Sequence, residues 1–241
     1  MKDLGLLKYF LGIEVLRSKK GIFINQKKYV LDLLAEVGMV DCQPADTPMV
    51  QNHGLQIREG ARQADRGRYR RLVGKLIYLS HTRPDIAYAV GVVSQFMHAP
   101  QEEHWEAVLR IVRYLKGTAK HGLMFAKHGH MEIHGFTDAD WAGNPNDRKS
   151  TAGYFTFVGG NLVTWRSKKQ KVVALSSAEA EFRGIKSGLT EILWLRNLMT
   201  ELDLRPALPC RLFCDNKATI SISGNPINLL MRLELNLVTL D

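Results

Sequence analysis

The hydrophobic and polar positions change rhythm along the chain. Residues 9–16 and 21–25 are strand-like apolar runs on either side of a basic turn at 18–20, which predicts a hairpin. Apolar residues then recur at Val30, Leu33, Leu34 and Val37 before Gly38, the spacing and ending of a short amphipathic helix. Residues 40–68 are polar and contain Pro44 and Pro48, so an extended loop is expected. Helix-period positions flank the Arg83-Pro84 break and predict two packed helices. A third helix is predicted over 102–118, its stripe formed by Trp105, Val108, Ile111, Val112 and Leu115. Beyond residue 118 the period falls to two, and the segments 121–127, 131–139, 151–159 and 161–168 read as strands of one antiparallel meander. A long helix from Ser176 to about residue 202, a strand at 210–214 and a short helix at 218–224 complete the expected elements. The switch of rhythm places a domain boundary between 117 and 128, giving expected units of 1–122 and 123–241 in an α/β chain.

Composition narrows the class of partner. At 241 residues and 45% hydrophobic content the chain can bury a substantial core. Its net charge of +9 and pI near 9.5 favour polyanionic partners, nucleic acid above all. Three cysteines, Cys42, Cys210 and Cys214, show neither a CxxC nor a Cys/His pattern, so neither a disulfide framework nor a structural zinc site is predicted. No apolar stretch approaches the roughly 18 residues that span a bilayer, so no membrane partner is expected. The cytoplasm is the default location, with the nucleus as the alternative.

The candidate chemistry lies in the acids. In FTDADWAGNPNDRKS, Asp138 and Asp140 stand two apart, and a strand continuing to Asp140 would project both from one face. Like charges side by side repel, which is tolerable at an exposed end and useful where a hard divalent cation binds. Asp147, beside Gly143-Asn144-Pro145-Asn146, reads as a turn residue, and the same local reading is open for Asp140. In SSAEAEF, Ser176 and Glu179 match a capping box, which gives Glu179 a structural task. Glu181 has no such task and is expected on the flank of a sheet-facing stripe of Phe182, Ile185, Leu189 and Leu193. Asp215 resembles Asp138 in ending an apolar run. Acids at two strand ends and on one helix, without a histidine or cysteine nucleophile signature, favour metal-dependent chemistry on phosphate esters over acyl transfer or glycoside hydrolysis.

The runs YRRLVGKLIYLSHTRPDIAYAV, VVSQFM, RYLKGT, FTDADWAG, DRKSTAGYF, WRSKKQKVVALSSAEAEF and FCDNKA resemble the C-terminal part of the Pol polyprotein of copia-type LTR retrotransposons, and the likeness extends to about Pro226. The resemblance implies a ribonuclease H-like mixed sheet flanked by helices, preceded by a mainly helical reverse-transcriptase thumb and connection region. It implies an endonuclease that hydrolyses the RNA strand of an RNA/DNA hybrid with two magnesium or manganese ions about 4 Å apart. Carried over by position, Asp138, Glu181 and Asp215 are the catalytic and metal-binding acids. Arg166, Lys168, Lys169 and Lys171 are expected contacts to the nucleic-acid backbone. The family's polymerase palm would lie before Met1 as an upstream partner, so polymerisation by this chain alone is not expected. The tail from residue 227 departs from the family's basic, histidine-containing segment, as a frameshift or displaced exon boundary would make it do, and leaves Glu234 and Asp241 as the acids available for a fourth metal ligand. The alternative expectation is a catalytically inactive remnant that at most binds nucleic acid.

Overall fold

The computed structural model describes residues 5–204, 206–223 and 235–239. The chain divides into two compact units, with the break after Phe125.

In the first unit, β1 (Tyr9–Phe10), β2 (Ile13–Ser18) and β3 (Gly21–Asn25) form an antiparallel ribbon whose β2–β3 half is the expected hairpin. Helix α1 (Lys27–Glu36) ends at Gly38, which takes the left-handed conformation that favours glycine. Helix α2 (Arg66–Leu79) starts where the Asp65 side chain accepts the Arg68 N–H, which supplies an orphan amide with its acceptor. A 3-10 turn at Pro84–Ile86 follows the proline break and leads into α3 (Ala87–Ser94). Helix α4 (Glu102–Gly117) buries Val108, Ile111, Val112 and Leu115 completely, against Val30, Leu33, Leu76 and Val93 among others. His104 is buried in the first turn of α4. Its Nδ1 accepts the Gln101 N–H, so Nε2 is the protonated nitrogen and donates to the Gln56 carbonyl. Burial lowers its pKa, which keeps the imidazole neutral.

The strand β4 (Gly122–Ala126) corrects one expectation, because it extends the first sheet in the order β1-β2-β3-β4 and takes no part in the later meander. Gly122 is the reason the strand fits there: a Cβ on it would collide with the Ile24 carbonyl oxygen and sit 2.8 Å from the Asn25 Cβ.

The second unit is built on a five-stranded mixed sheet. Strands β5 (Glu132–Ala139), β6 (Thr151–Val158) and β7 (Asn161–Lys169) form the antiparallel meander. Helix α5 (Ser177–Glu201) then returns the chain so that β8 (Ala207–Cys214) runs parallel to β5. Helix α6 (Lys217–Ser223) precedes β9 (Leu235–Thr239), which is parallel to β8, and the sheet order is β7-β6-β5-β8-β9. This is the ribonuclease H-like mixed sheet. Glu234 and Asp241 lie outside the described residues. No helix among the described residues is long and apolar enough to cross a membrane.

Helix α5 meets the sheet through a stripe rotated from the expected one, which keeps Ile185 and Leu189 in the core, leaves Leu193 partly buried against it and loses Phe182. Phe182 is exposed, and the buried line runs through Glu181, Gly184, Ile185, Gly188, Leu189, Ile192, Leu195 and Met199. The two glycines account for the rotation. With no side chains at 184 and 188 the helix backbone approaches β5 and β8 closely: a Cβ on Gly184 would lie 3.0 Å from Thr137 Oγ1, and one on Gly188 would lie 3.2 Å from Leu212 Cδ1. Gly184→Val is therefore expected to push the helix off β5 and cost about 1–3 kcal/mol. Thermal denaturation measures the cost. A variant as stable as the parent would mean that the helix has room to move.

Candidate metal centre

The local sequence sets each acid in place. Along β5, Ile133, Gly135, Thr137 and Ala139 occupy the buried face, so Asp138 projects from the opposite face into solvent near the end of the strand. Glu181 sits one turn into α5, behind an N-cap made by Ser176, whose hydroxyl accepts the Glu179 N–H at 3.1 Å. Glu179 reaches back to the Leu175 N–H at 2.8 Å and pairs with Arg183 at 2.7 Å, so it is occupied by capping. Asp215 directly follows β8, and Asn216 begins α6 by accepting the Thr219 N–H at 2.9 Å. Thr219 in turn donates to the Ala178 carbonyl, which ties α6 to the first turn of α5.

These elements bring Glu181, Cys214 and Asp215 together, with one ligand atom from each lying within 4.8 Å of the others. Asp138 is outside that close group and adjoins it. Its neighbour Ala139 donates its N–H to Glu181 Oε1 at 3.1 Å, and the charge of Asp138 acts on Glu181. Burial, then the charges of Asp138 and Asp215, push the Glu181 carboxyl up to about 7, against the opposing pull of the Ala139 N–H and the Cys214 thiol. Burial first, and the carboxylates of Glu181 and Asp215 after it, push the Cys214 thiol up to about 11. Its Sγ lies 3.7 Å from Glu181 Oε2.

The donor set fits a divalent cation. A carboxylate that is only 6% exposed and faces two further negative charges is costly without a counter-ion, and hard oxygen donors are what magnesium or manganese prefers. Glu181 and Asp215 would hold such an ion, with Asp138 beside them.

The remaining acids have local work. Strand β5 stops at Ala139, one residue short of Asp140, whose carboxylate accepts the Thr151 N–H and whose own N–H donates to the Thr151 carbonyl. Asp147 pairs with Lys169 at 3.1 Å and Lys149 at 3.5 Å. The basic run divides accordingly. Arg166 and Lys168 are exposed on one face of the outer strand β7, and Lys171 is exposed just beyond it, whereas Lys169 turns to Asp147. Trp141, half exposed, donates its indole N–H to the Ala174 carbonyl at 3.0 Å and so joins the loop after β5 to the one before α5. Cys214 is the member of the group that sequence reasoning passed over. Its signal was its place beside Asp215 at a strand end, which metal-ligand spacing rules do not register.

A mixed sheet in this order, with an acidic group where α5 crosses the end of β8, defines a ribonuclease H-like protein. No protein-family model matches the chain. It is 44% identical over 227 residues to the retrovirus-related Pol polyprotein from transposon RE1 of Arabidopsis thaliana, an overlap of 94% of this chain and 16% of the polyprotein. It is 39% identical over 236 residues to the Pol polyprotein from transposon TNT 1-94 of Nicotiana tabacum, covering 93% of this chain and 18% of that one. The uncharacterized mitochondrial protein AtMg00810 of Arabidopsis thaliana matches at 41% identity over 194 residues, 80% of each chain. The chain belongs to the retrovirus-related Pol polyproteins of copia-type transposons, and it spans about a sixth of the length of the two polyproteins named here. Among solved structures, the LC11 ribonuclease H1 isolated from compost aligns with 45% of this chain and 84% of its own, at 16% identity and a TM-score of 0.30.

Proposed function

We propose that the second unit hydrolyses the RNA strand of RNA/DNA hybrids as an endonuclease, with magnesium or manganese held by Asp138, Glu181 and Asp215. The observation that carries this reading is the convergence of Glu181 and Asp215 within 4.8 Å, next to the β5 end that bears Asp138. A divalent cation bound there supplies an activated water and charge for the departing 3'-oxygen. The chain's own part is to hold the acids: the Ala139 N–H orients Glu181, and α6 anchors the turn that carries Asp215. Arg166, Lys168 and Lys171 offer cations along the outer strand to the phosphate backbone, with Lys169 shared with Asp147. The first unit, expected over 1–122, then corresponds to the thumb and connection region of a reverse transcriptase whose palm lies upstream, and residues 123–241 to the ribonuclease H domain.

The position of Asp138 outside the close group favours a second reading, an inactive remnant that retains nucleic-acid binding. Cleavage of a labelled RNA/DNA hybrid by the whole chain, with magnesium or manganese and with Asp138→Asn as control, separates the two. Metal-dependent cleavage lost in Asp138→Asn supports the hydrolase. A folded chain that binds the hybrid without cutting it supports the remnant. In either case, replacing Arg166 and Lys168 by Ala is expected to weaken hybrid binding and to reduce the slope of log affinity against log salt by about 1 for each phosphate that goes unneutralised. An unchanged slope would remove these two residues from the interface.

A further inference from the structure

We infer that Glu181, Cys214 and Asp215 form a binding site for a thiophilic divalent cation of the zinc and cadmium class, with Cys214 Sγ as a direct ligand. Such a cation would compete for the two carboxylates with the hard cation of the proposed hydrolase. The site is the one on which that reading rests, but binding of a soft ion does not require the reaction.

Donor spacing points to such an ion. A zinc-like ion bound to a cysteine sulfur at about 2.3 Å and a carboxylate oxygen at about 2.1 Å, in tetrahedral geometry, holds the two ligand atoms about 3.6 Å apart. Cys214 Sγ and Glu181 Oε2 already stand 3.7 Å apart. The Asp215 carboxylate completes a three-ligand set within 4.8 Å, and the fourth position is open to water because Asp215 is exposed. Two further features fix the sulfur and its partner. Cys214 Sγ accepts the Asn216 N–H at 3.5 Å, and Glu181 takes the Ala139 N–H on its other carboxylate oxygen, Oε1. Magnesium makes no use of this arrangement, since thiolate sulfur is a soft donor and magnesium takes oxygen. The group therefore carries one ligand that a hard cation does not use, and that ligand is the one which selects for soft ions. On binding, the sulfur–metal bond replaces the S–H bond, the sulfur keeps the electron pair, and the proton passes to water, with no change in oxidation state.

The other cysteines do not share the geometry. Cys210 is buried in the core behind α5, and Cys42 belongs to the first unit.

The test is a titration of the metal-free full chain with cadmium chloride, read by the ultraviolet thiolate-to-cadmium charge-transfer band. One band saturating at one equivalent is expected. It should be lost in Cys214→Ser, retained in Cys42→Ser, and shifted to at least about tenfold higher cadmium in Asp215→Asn, a change at an exposed position. Magnesium in excess should raise the cadmium concentration needed. A band that persists in Cys214→Ser, no band at all, or an Asp215→Asn titration identical to the parent would overturn the inference. Because no substrate is present, a chain that gives the band yet leaves hybrids uncut upholds this site while ending the hydrolase reading, and an active chain without the band does the reverse.

Discussion

Glu181→Gln is expected to lower metal-dependent hybrid cleavage on the order of 10³-fold, about 4 kcal/mol of barrier, and at the same time to stabilise the metal-free chain above pH 7. Both effects come from one buried charge. Glu181 is pushed up to about 7 from an ordinary 4.5 by burial and by Asp138 and Asp215. Below pH 4.5 the carboxyl is protonated in both the folded and the unfolded chain and contributes no difference. Between 4.5 and 7 the unfolded chain ionises while the folded chain keeps its proton, so stability falls as pH rises and the loss is complete above about 7. At about 1.4 kcal/mol per pH unit the full shift would be worth roughly 3 kcal/mol, and water at the rim of the site reduces this to about 1–3 kcal/mol. Glutamine accepts the same Ala139 N–H but carries no charge, so its melting temperature should be nearly flat across that window. Melts in chelator from pH 4.5 to 8, beside the cleavage assay, check both parts. Parallel pH profiles for the two chains would show that Glu181 is not held neutral.

The second large effect belongs to the first unit. Arg83→Met is expected to destabilise it by about 2–3 kcal/mol, less than the roughly 3–5 kcal/mol of a fully buried pair, because the Asp85 side chain left behind is 31% exposed and regains part of its hydration. Arg83 is 2% exposed, and all its polar atoms are engaged. Nε meets Asp85 Oδ1 at 2.9 Å, Nη2 meets Asp85 Oδ2 at 2.6 Å and Thr118 Oγ1 at 2.7 Å, and Nη1 donates to the Thr118 carbonyl at 2.9 Å. Tyr114 donates its hydroxyl to the same Asp85 oxygen at 2.8 Å. Burial alone would raise the Asp85 carboxyl, but Arg83 and Tyr114 outweigh it and hold the pKa below the usual value. The guanidinium thereby bolts the turn between α2 and α3 to the last turn of α4, where a cation also suits the helix carboxyl end. Arg83→Lys should recover little, because an ammonium cannot serve the carboxylate and the carbonyl in a fork. Equilibrium unfolding followed by tryptophan fluorescence measures this, Trp105 lying in this unit. A loss under about 1 kcal/mol, the range of an exposed pair, would mean that Asp85 and Thr118 find water instead.

What periodicity encodes, the sequence disclosed. The β2–β3 hairpin, the stripe of α4 and the alternation in β5 to β7 are local patterns in which each residue's neighbours suffice. Where pattern and structure differ, the cause is non-local. β4 has the same alternating character as the strands after it, and its true partner is set by the missing side chain of Gly122 against Ile24 and Asn25, nearly a hundred positions back in the chain. The face of α5 differs because Gly184 and Gly188 count as neutral in an apolar stripe, although they mark close approaches to the sheet. That approach is what buries Glu181 instead of leaving it on the flank. Resemblance to a family singles out the three candidate acids from isolated carboxylates; spacing along the chain could not foretell that Asp215 and Glu181 converge while Asp138 stands aside.

The division after Phe125 has a practical side. Every strand of the five-stranded sheet comes from beyond that point, and Asn161 grips Ala126 by both its backbone N–H, at 2.7 Å, and its carbonyl, at 3.0 Å. The second unit is thus expected to be portable. A polypeptide begun at Ala126 would carry its whole sheet and keep its first clasp, whereas one begun a few residues earlier would drag along a piece of β4 with nothing to pair it. Genetic breakage near this codon would keep the five strands of that sheet together, and breakage a dozen codons downstream, inside β5, would cut the strand that bears Asp138.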